Sequence, residues 1–343
     1  MKQEVLLRAD GSSVIGFGHV YRLLALAEML SPEFRCVFLG NRDTQGLAKH
    51  ILRYCDEFVE VPGSPEDELP NLLKRVSPKA IFVLDGYGFD ETYQARIKEH
   101  GNPLVCIDDM GDRYFYADVI FNHAEGIIDS IYRKKPGSRL YSGTSFAFLR
   151  KPFLDAAKAN RPLGDPSKIF VSFGGTDTHN LPLQTLRSII NLDFLKEVHI
   201  VLGNDRTNDH EIEKLVSEGP VTLKMDRNLS AEQMAGKLKQ CGLAIVSAST
   251  ISYEVCSIRM GMIAVQTVEN QTNLARFLRH ENLAVVLNYD SATFVDQLRS
   301  SISGFLTDPQ QMKEQTLQQG RFFDGCSSER IRAIFSKLSH GDL

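Results

Sequence analysis

The chain has 343 residues, 43% hydrophobic and 24% charged, an ordinary globular composition with length for about two domains. Thirty-nine basic residues against 43 acidic ones leave a net charge of −4, which excludes a general nucleic-acid binder relying on a basic surface. The longest apolar runs are about five residues, far from the roughly 20 that span a bilayer, and Glu4 and Arg8 interrupt any signal-peptide core. A soluble cytoplasmic protein with no membrane association is therefore expected. The six cysteines, at 36, 55, 106, 241, 256 and 326, lack the close spacing of metal or redox motifs and read as reduced core residues.

In chain order, short apolar runs read as strands: VLLRAD from Val5, RCVFL from Arg35, EFVEV from Glu57, AIFVLD from Ala80, PLVCID from Pro103 and DVIFN from Asp118. A second series follows, with KIFVSF from Lys168, EVHIVLG from Glu197, VTLKM from Val221, LAIVSAS from Leu243, MIAVQTV from Met262 and AVVLNY from Ala284. Continuous apolar runs, rather than strict alternation, mark strands covered on both faces. Between them lie segments with helical spacing, such as Val20–Leu30 with apolar positions 20, 23, 24, 27 and 30. Strand alternating with helix predicts parallel α/β sheets. The polar stretch 156–168, with Pro162, Gly164 and Pro166, reads as a linker between a domain at 1–155 and one at 169–310; 311–343 reads as a helical tail. Two doubly wound units should face a cleft at the carboxyl ends of their strands.

Three loops carry candidate chemistry. In RADGSSVIGFGHVYR a strand enters a Gly-rich loop that opens into a helix, with Gly16 and Gly18 permitting close ligand approach and His19 on the first helical turn. The positive helix end disfavours imidazolium, which suits a proton acceptor; a capping or packing histidine is the blander alternative. The third glycine of a dinucleotide fingerprint is replaced by Tyr21, and no Lys-Ser/Thr of a P-loop follows. Asp10 and Arg22 nearby have ordinary readings as a turn acceptor and a solvated helix charge. The second loop, FGGTDTHN, places Gly174, Gly175, Thr176 and Asp177 before a helix with Pro182 in its first turn, a turn suited to a diphosphate or simply a tight βα turn. In the third, SASTISYE, Ser249 and Thr250 open a helix and Glu254 lies a turn further on, where a carboxylate can take both hydroxyls of a ribose or merely be solvated. Asn270 and Gln271 follow the next strand. Asp85, in DGYG, and Asp109, in IDD, end strands of the first half, and Tyr87 offers a ring for a sugar or is a turn aromatic. The other histidines lack metal-ligand spacing, and no H-E-x-x-H, G-x-S-x-G or D-x-D signature is present, so no metal or other cofactor is expected.

Together, DGSSVIGFGHVYR, FVSFGGTDTHN and SASTISYE with VENQT downstream resemble the UDP-sugar hydrolases of pseudaminic acid biosynthesis, over about residues 4–290. These enzymes cleave UDP from UDP-2,4-diacetamido-2,4,6-trideoxy-β-L-altropyranose. The resemblance implies a GT-B fold of two Rossmann-like domains and an inverting reaction with water as acceptor. The lipid II transferases, also similar, carry an extra glycine before their histidine, so the Gly18–His19 junction favours the hydrolases. On this resemblance His19 is the general base, Tyr87 lies beside the sugar, and Arg150 of FAFLR lies near the nucleotide. Glu254 is then the ribose-binding carboxylate and Asn270 an asparagine near the sugar. The expected substrate-contacting set is Gly16, Gly18, Arg22, Asp85, Tyr87, Arg150, Gly174, Gly175, Thr176, Asp177, Ser249, Thr250, Glu254, Asn270 and Gln271. A monomer with a UDP-sugar as its small-molecule partner is expected. The tail is longer than in short members of the family, and GT-B proteins often return a last helix to the N-terminal domain. A GT-B glycosyltransferase with a UDP-sugar donor, a hydrolysing UDP-sugar 2-epimerase and a non-catalytic nucleotide-sugar-binding protein remain as alternatives.

Overall fold

The computed structural model describes residues 2–11, 16–61, 65–159, 161–174, 179–203, 208–218 and 221–343. Two compact units divide the chain, Met1–Lys151 with Cys326–Leu343, and Pro152–Gly325.

In the first unit the elements run β1 (Gln3–Ala9), α1 (Gly18–Leu30), β2 (Phe34–Gly40), α2 (Ala48–Ile51), β3 (Glu57–Glu60), α3 (Pro65–Leu73), β4 (Ile81–Asp85), α4 (Glu91–Glu99), β5 (Leu104–Ile107), β6 (Tyr114–Phe115), β7 (Val119–Asn122), β8 (Arg133–Lys134) and β9 (Arg139–Ser142). Seven strands form one sheet in the order β3-β2-β1-β4-β5-β7-β9, and every pairing is parallel. The central strands are buried along their length, which is why VLLRA and IFVLD carry no alternation. Strands β6 and β8 pair separately. They and β9 have no apolar run: Arg139–Ser142 is an edge strand, partly exposed, with a partner on one side only.

The second unit begins in α5 (Lys151–Lys158) and continues through β10 (Lys168–Ser172), α6 (Leu181–Ile189), β11 (Glu197–Leu202), α7 (Asp209–Glu218), β12 (Thr222–Arg227), α8 (Ala231–Gln240), β13 (Leu243–Ser247), α9 (Thr250–Ile258), β14 (Gly261–Gln266), α10 (Thr272–His280), β15 (Val285–Asn288), α11 (Phe294–Thr307) and α12 (Pro309–Phe322). Its six-stranded parallel sheet has the order β12-β11-β10-β13-β14-β15. Ile169, Val171, Ile245 and Ile263 lead a core closed by α6 and α11 through Leu186, Leu298 and Ile302.

The segment from 311 onward is two helices that serve different units. α12 buries Gln315 and Gln319, whose side-chain oxygens accept from Met262 N and Met260 N at 3.0 and 3.1 Å. α13 (Ser327–His340) belongs to the first unit, where Phe335 packs against Phe34 and Phe121. Gly325, at φ +76° and with the Leu154 carbonyl where a Cβ would stand, allows the chain to turn between them. All six cysteines are free, five of them buried. Among the described residues no helix is long and apolar enough to cross a membrane.

Candidate active site

Each sheet reverses its strand order once, at β1/β4 in the first unit and at β10/β13 in the second, and ligands of open α/β sheets bind beyond the carboxyl ends of the strands at such points. The loops leaving these four strands hold most of the residues singled out from the sequence. Gly16 and Gly174 both adopt positive φ, +77° and +87°, and a Cβ at either would have nothing within 4 Å. Their backbones are left-handed and open on one side, the condition for a ligand to approach closely.

In the first unit His19 and Arg22 lie three residues apart on α1, hence on one face, above the end of β4. Asp85 is the last residue of β4, opposite Ala9 of β1 and fully buried. Its Oδ1 lies 2.7 Å from His19 Nδ1 and accepts from Arg22 Nη2 at 2.6 Å, while Oδ2 accepts from Arg22 Nε at 2.7 Å. Arg22 Nη2 is also 3.2 Å from His19 Nδ1, but one nitrogen cannot both donate to Asp85 and accept from Arg22. The shorter contact to a carboxylate decides that Nδ1 carries the hydrogen, which leaves Nε2 as the ring's basic atom. Tyr87 meets the His19 ring edge-on, with centroids 5.1 Å apart and planes at 88°, and is itself 47% exposed.

The ionic chain continues across neighbouring strand ends. Arg22 Nη1 donates to Asp109, just after β5, at 2.7 and 3.0 Å, and lies 3.5 Å from Nε2 of His123, just after β7. Burial opposes every charge here. At Asp85 the pairing with Arg22 and the hydrogen bond with His19 outweigh it and hold the carboxyl below its usual range. Asp109 is held below its usual range as well, burial again being overcome by Arg22 and then His123. Arg22 is held charged by Asp109 and Asp85 against its own burial. At His123 burial prevails: reinforced by Arg22 and only partly offset by Asp109 and Asp85, it lowers the pKa from 6.5 to about 4, so the ring is neutral at pH 7. A second buried network is built on Arg8 of β1, whose register puts it on the opposite face of the sheet from Asp85: Arg8 pairs with Glu68 at 2.9 Å and with Asp10, Tyr93 donates to Glu68 at 2.7 Å, and the Phe89 ring lies under the guanidinium.

Of the other first-unit expectations, Gly18 opens α1 and is exposed, and Arg150 is half-buried beside Tyr21 and His50. Burial and the charges of Arg53 and Arg150 lower the His50 pKa. Arg22 is no solvated helix charge, as it is 6% exposed and gripped by two carboxylates. His123 and Asp109 complete the cluster. Asp109 had only its place at a strand end to mark it, and His123 shares that signal, since it directly follows the DVIFN run.

In the second unit Ser249 is the N-cap of α9 with extended backbone, and Thr250 is the first helical residue. The Ser249 hydroxyl pairs with Ser247 at 2.8 Å and caps no backbone N–H. Both Ser249 and Thr250 are half-buried, and Glu254 stands one turn further along, 7% exposed. The first turn of α9 thus presents backbone N–H groups and hydroxyls with a carboxylate behind them. Asn270 is exposed in the turn after β14, whereas the Gln271 side chain accepts from Thr267 N at 2.8 Å and closes its own turn. Gly175, Thr176 and Asp177 lie outside the described residues.

No protein-family model matches the chain. It is 27% identical over 291 residues, 83% of its length and 100% of the relative's, to the UDP-2,4-diacetamido-2,4,6-trideoxy-β-L-altropyranose hydrolase of Campylobacter jejuni. It is 24% identical over 286 residues, 81% of its length and 82% of the relative's, to the spore coat polysaccharide biosynthesis protein SpsG of Bacillus subtilis. Among solved structures, that of Acinetobacter baumannii MurG superposes with a TM-score of 0.64 at 14% identity, covering 98% of this chain and 99% of that one. The chain is a distant homologue of that hydrolase and of SpsG, and it has the GT-B fold of two Rossmann-like parallel-sheet domains.

Proposed function

We propose that the chain is an enzyme of nucleotide-sugar chemistry that hydrolyses UDP-2,4-diacetamido-2,4,6-trideoxy-β-L-altropyranose, with inversion at the anomeric carbon, in pseudaminic acid biosynthesis. The observation that carries this reading is the 2.7 Å contact between His19 Nδ1 and the buried Asp85, which leaves Nε2 free to take a proton. The relative that bears this activity in its name supports the choice of substrate, since the similarity runs through its whole length.

In the reaction, a water attacks C1 from the face opposite UDP, and the C1–O bond to the diphosphate breaks as the new one forms. His19 Nε2 accepts the water's proton, and Asp85 stabilises the imidazolium that results. Tyr87 supplies a ring edge-on to His19 and half open for the sugar. The diphosphate is the leaving group and carries its charge away as UDP, so no protein acid is required. Backbone N–H groups at Gly174 and at the first turn of α9 hold that charge, and Glu254 takes the ribose hydroxyls. The enzyme works as a cytoplasmic monomer without a metal.

Proton and phosphorus NMR of the purified chain with this UDP-sugar, with and without EDTA, tests the reading. UDP and free sugar should appear, the sugar in the inverted anomeric form, with turnover unaffected by EDTA. Tight UDP binding without turnover would instead assign a transferase lacking its acceptor or a non-catalytic binding protein.

A further inference from the structure

Behind His19 stands more order than a general base needs. The carboxylate of Asp85 turns about a side-chain torsion with a broad, roughly two-fold profile, and nothing in that torsion aims an oxygen at His19. Arg22 removes the freedom: Nε and Nη2 meet the two oxygens of Asp85 at 2.7 and 2.6 Å, a fork-on-fork pairing that fixes the carboxylate plane. The fork is itself anchored from the far side, where Nη1 grips both oxygens of Asp109. All three guanidinium nitrogens are spent on carboxylates, and the side chain is 6% exposed, so it has little left to offer a diphosphate.

The charges also alternate. Asp109, Arg22 and Asp85 sum to −1, and when His19 takes a proton the line reads minus, plus, minus, plus, with no net charge. Arg22 Nη2 is 3.2 Å from His19 Nδ1, so a guanidinium without its own counter-ion there would repel the imidazolium as it forms. Asp109 cancels that repulsion while leaving the clamp in place. Among the described residues, the ionisable side chains around His19 are Asp85 from β4, Arg22 from α1, Tyr87 beyond β4 and Asp109 beyond β5, with His123 beyond β7 standing against Arg22 and Asp109. His123 is neutral at pH 7 and adds no charge.

We propose that Arg22 is a positioning residue for the hydrolysis: anchored and neutralised by Asp109, its fork locks Asp85 in the orientation that holds hydrogen on His19 Nδ1 and turns Nε2 toward the substrate. The kinetic consequence rests on the hydrolase reading; the state of the His19 ring does not.

Two measurements on the full chain separate them. Long-range proton–nitrogen NMR of histidine-labelled protein, assigned with His19→Gln, should show the His19 hydrogen on Nδ1. A neutral ring with its hydrogen on Nε2 would overturn the clamp whatever the activity. Steady-state UDP release should show Arg22→Lys losing about 10²-fold in kcat with KM nearly unchanged, because an ammonium cannot grip both oxygens. Millimolar guanidinium, but not urea, should return part of the kcat of Arg22→Ala. Full kcat in Arg22→Lys, or a loss carried by KM alone, would make Arg22 something other than a positioning residue. If the Arg22 variants fail to fold, Asp109→Asn keeps the shape and removes only the counter-charge. It should lower kcat less than Arg22→Lys while the Nδ1 hydrogen remains, and an unchanged kcat would overturn Asp109's part. If the wild-type chain releases no UDP from any of these preparations, the hydrolase reading fails and the ring spectrum still decides the clamp.

Discussion

The two units share a strand order and a switch point but use them differently. In the first, the strand ends β1, β4, β5 and β7 stand side by side, and their loops deliver a histidine, an arginine, two aspartates and a second histidine into one mostly buried ionic line. In the second, the described residues of the corresponding loops are glycine and small hydroxyl residues, which offer backbone N–H, Ser249 and Thr250, with the Glu254 carboxylate one turn into α9. Topology chose the places; on the function proposed above, side-chain chemistry gives the first unit the proton transfer and the second the anion. Substitutions in the first should therefore act on the chemical step, and substitutions in the second on binding.

The largest expected effect breaks the comparison if it fails. His19→Ala should lower kcat on the order of 10²–10⁴-fold, as for loss of a general base, while UDP still binds. Equal losses in UDP affinity would mean that the first unit also holds the nucleotide. The next effect is on stability. Because the His123 pKa falls from 6.5 unfolded to about 4 folded, the unfolded chain binds the extra proton between those values. Its contribution is fully present above pH 6.5 and is lost as pH falls toward 4, up to about 3 kcal/mol. The depressed aspartates act mainly at the acid end of this window and below it, and Asp108, raised by burial, acts with the opposite sign. Denaturant unfolding at pH 7 and pH 4.5 should show the loss in wild type and a smaller one in His123→Gln. Some slope should persist in the variant, since His50 and His199 are also lowered by burial.

What the sequence made legible follows from the same physics. Strands buried on both faces leave unbroken apolar runs, so VLLRAD, AIFVLD and LAIVSAS announced their strands within a residue or two. Arg139–Ser142 did not, because an edge strand needs no apolar run. His19, Asp85 and Tyr87 were visible as polar or aromatic residues in glycine loops at strand ends. The bonds of Arg22 to Asp109 and the nearness of His123 were not, since they depend on β5 and β7 lying beside β4 in the sheet, a neighbourhood that no local pattern encodes. That is also why a residue with the look of a solvated helix charge is a buried one.

On the second unit, Glu254→Gln keeps the volume and removes the charge. Loss of a charged hydrogen-bond acceptor costs about 1.5–3 kcal/mol, so UDP should bind on the order of 10–100-fold more weakly, with kcat at saturation little changed. Titration calorimetry with UDP and with UMP sharpens the assignment. Both nucleotides carry the ribose, so both should weaken equally if Glu254 holds the ribose hydroxyls, whereas a loss confined to UDP would place the carboxylate's influence at the diphosphate.

The smallest effect discriminates most finely between backbone and side chain. Ser249 makes no capping bond and its hydroxyl is shared with Ser247, so Ser249→Ala removes one neutral donor from the α9 entrance and leaves the helix N–H groups in place. A single neutral hydrogen bond is worth about 0.5–1.5 kcal/mol, and UDP affinity should fall about two- to tenfold. A loss as large as that of Glu254→Gln would mean that the hydroxyl, rather than the helix end, carries the anion. No loss at all would take the Ser249 hydroxyl out of the proposed anion site and leave it to the helix N–H groups and Thr250, in contrast to the first unit, where every contact in the ionic line is made by a side chain.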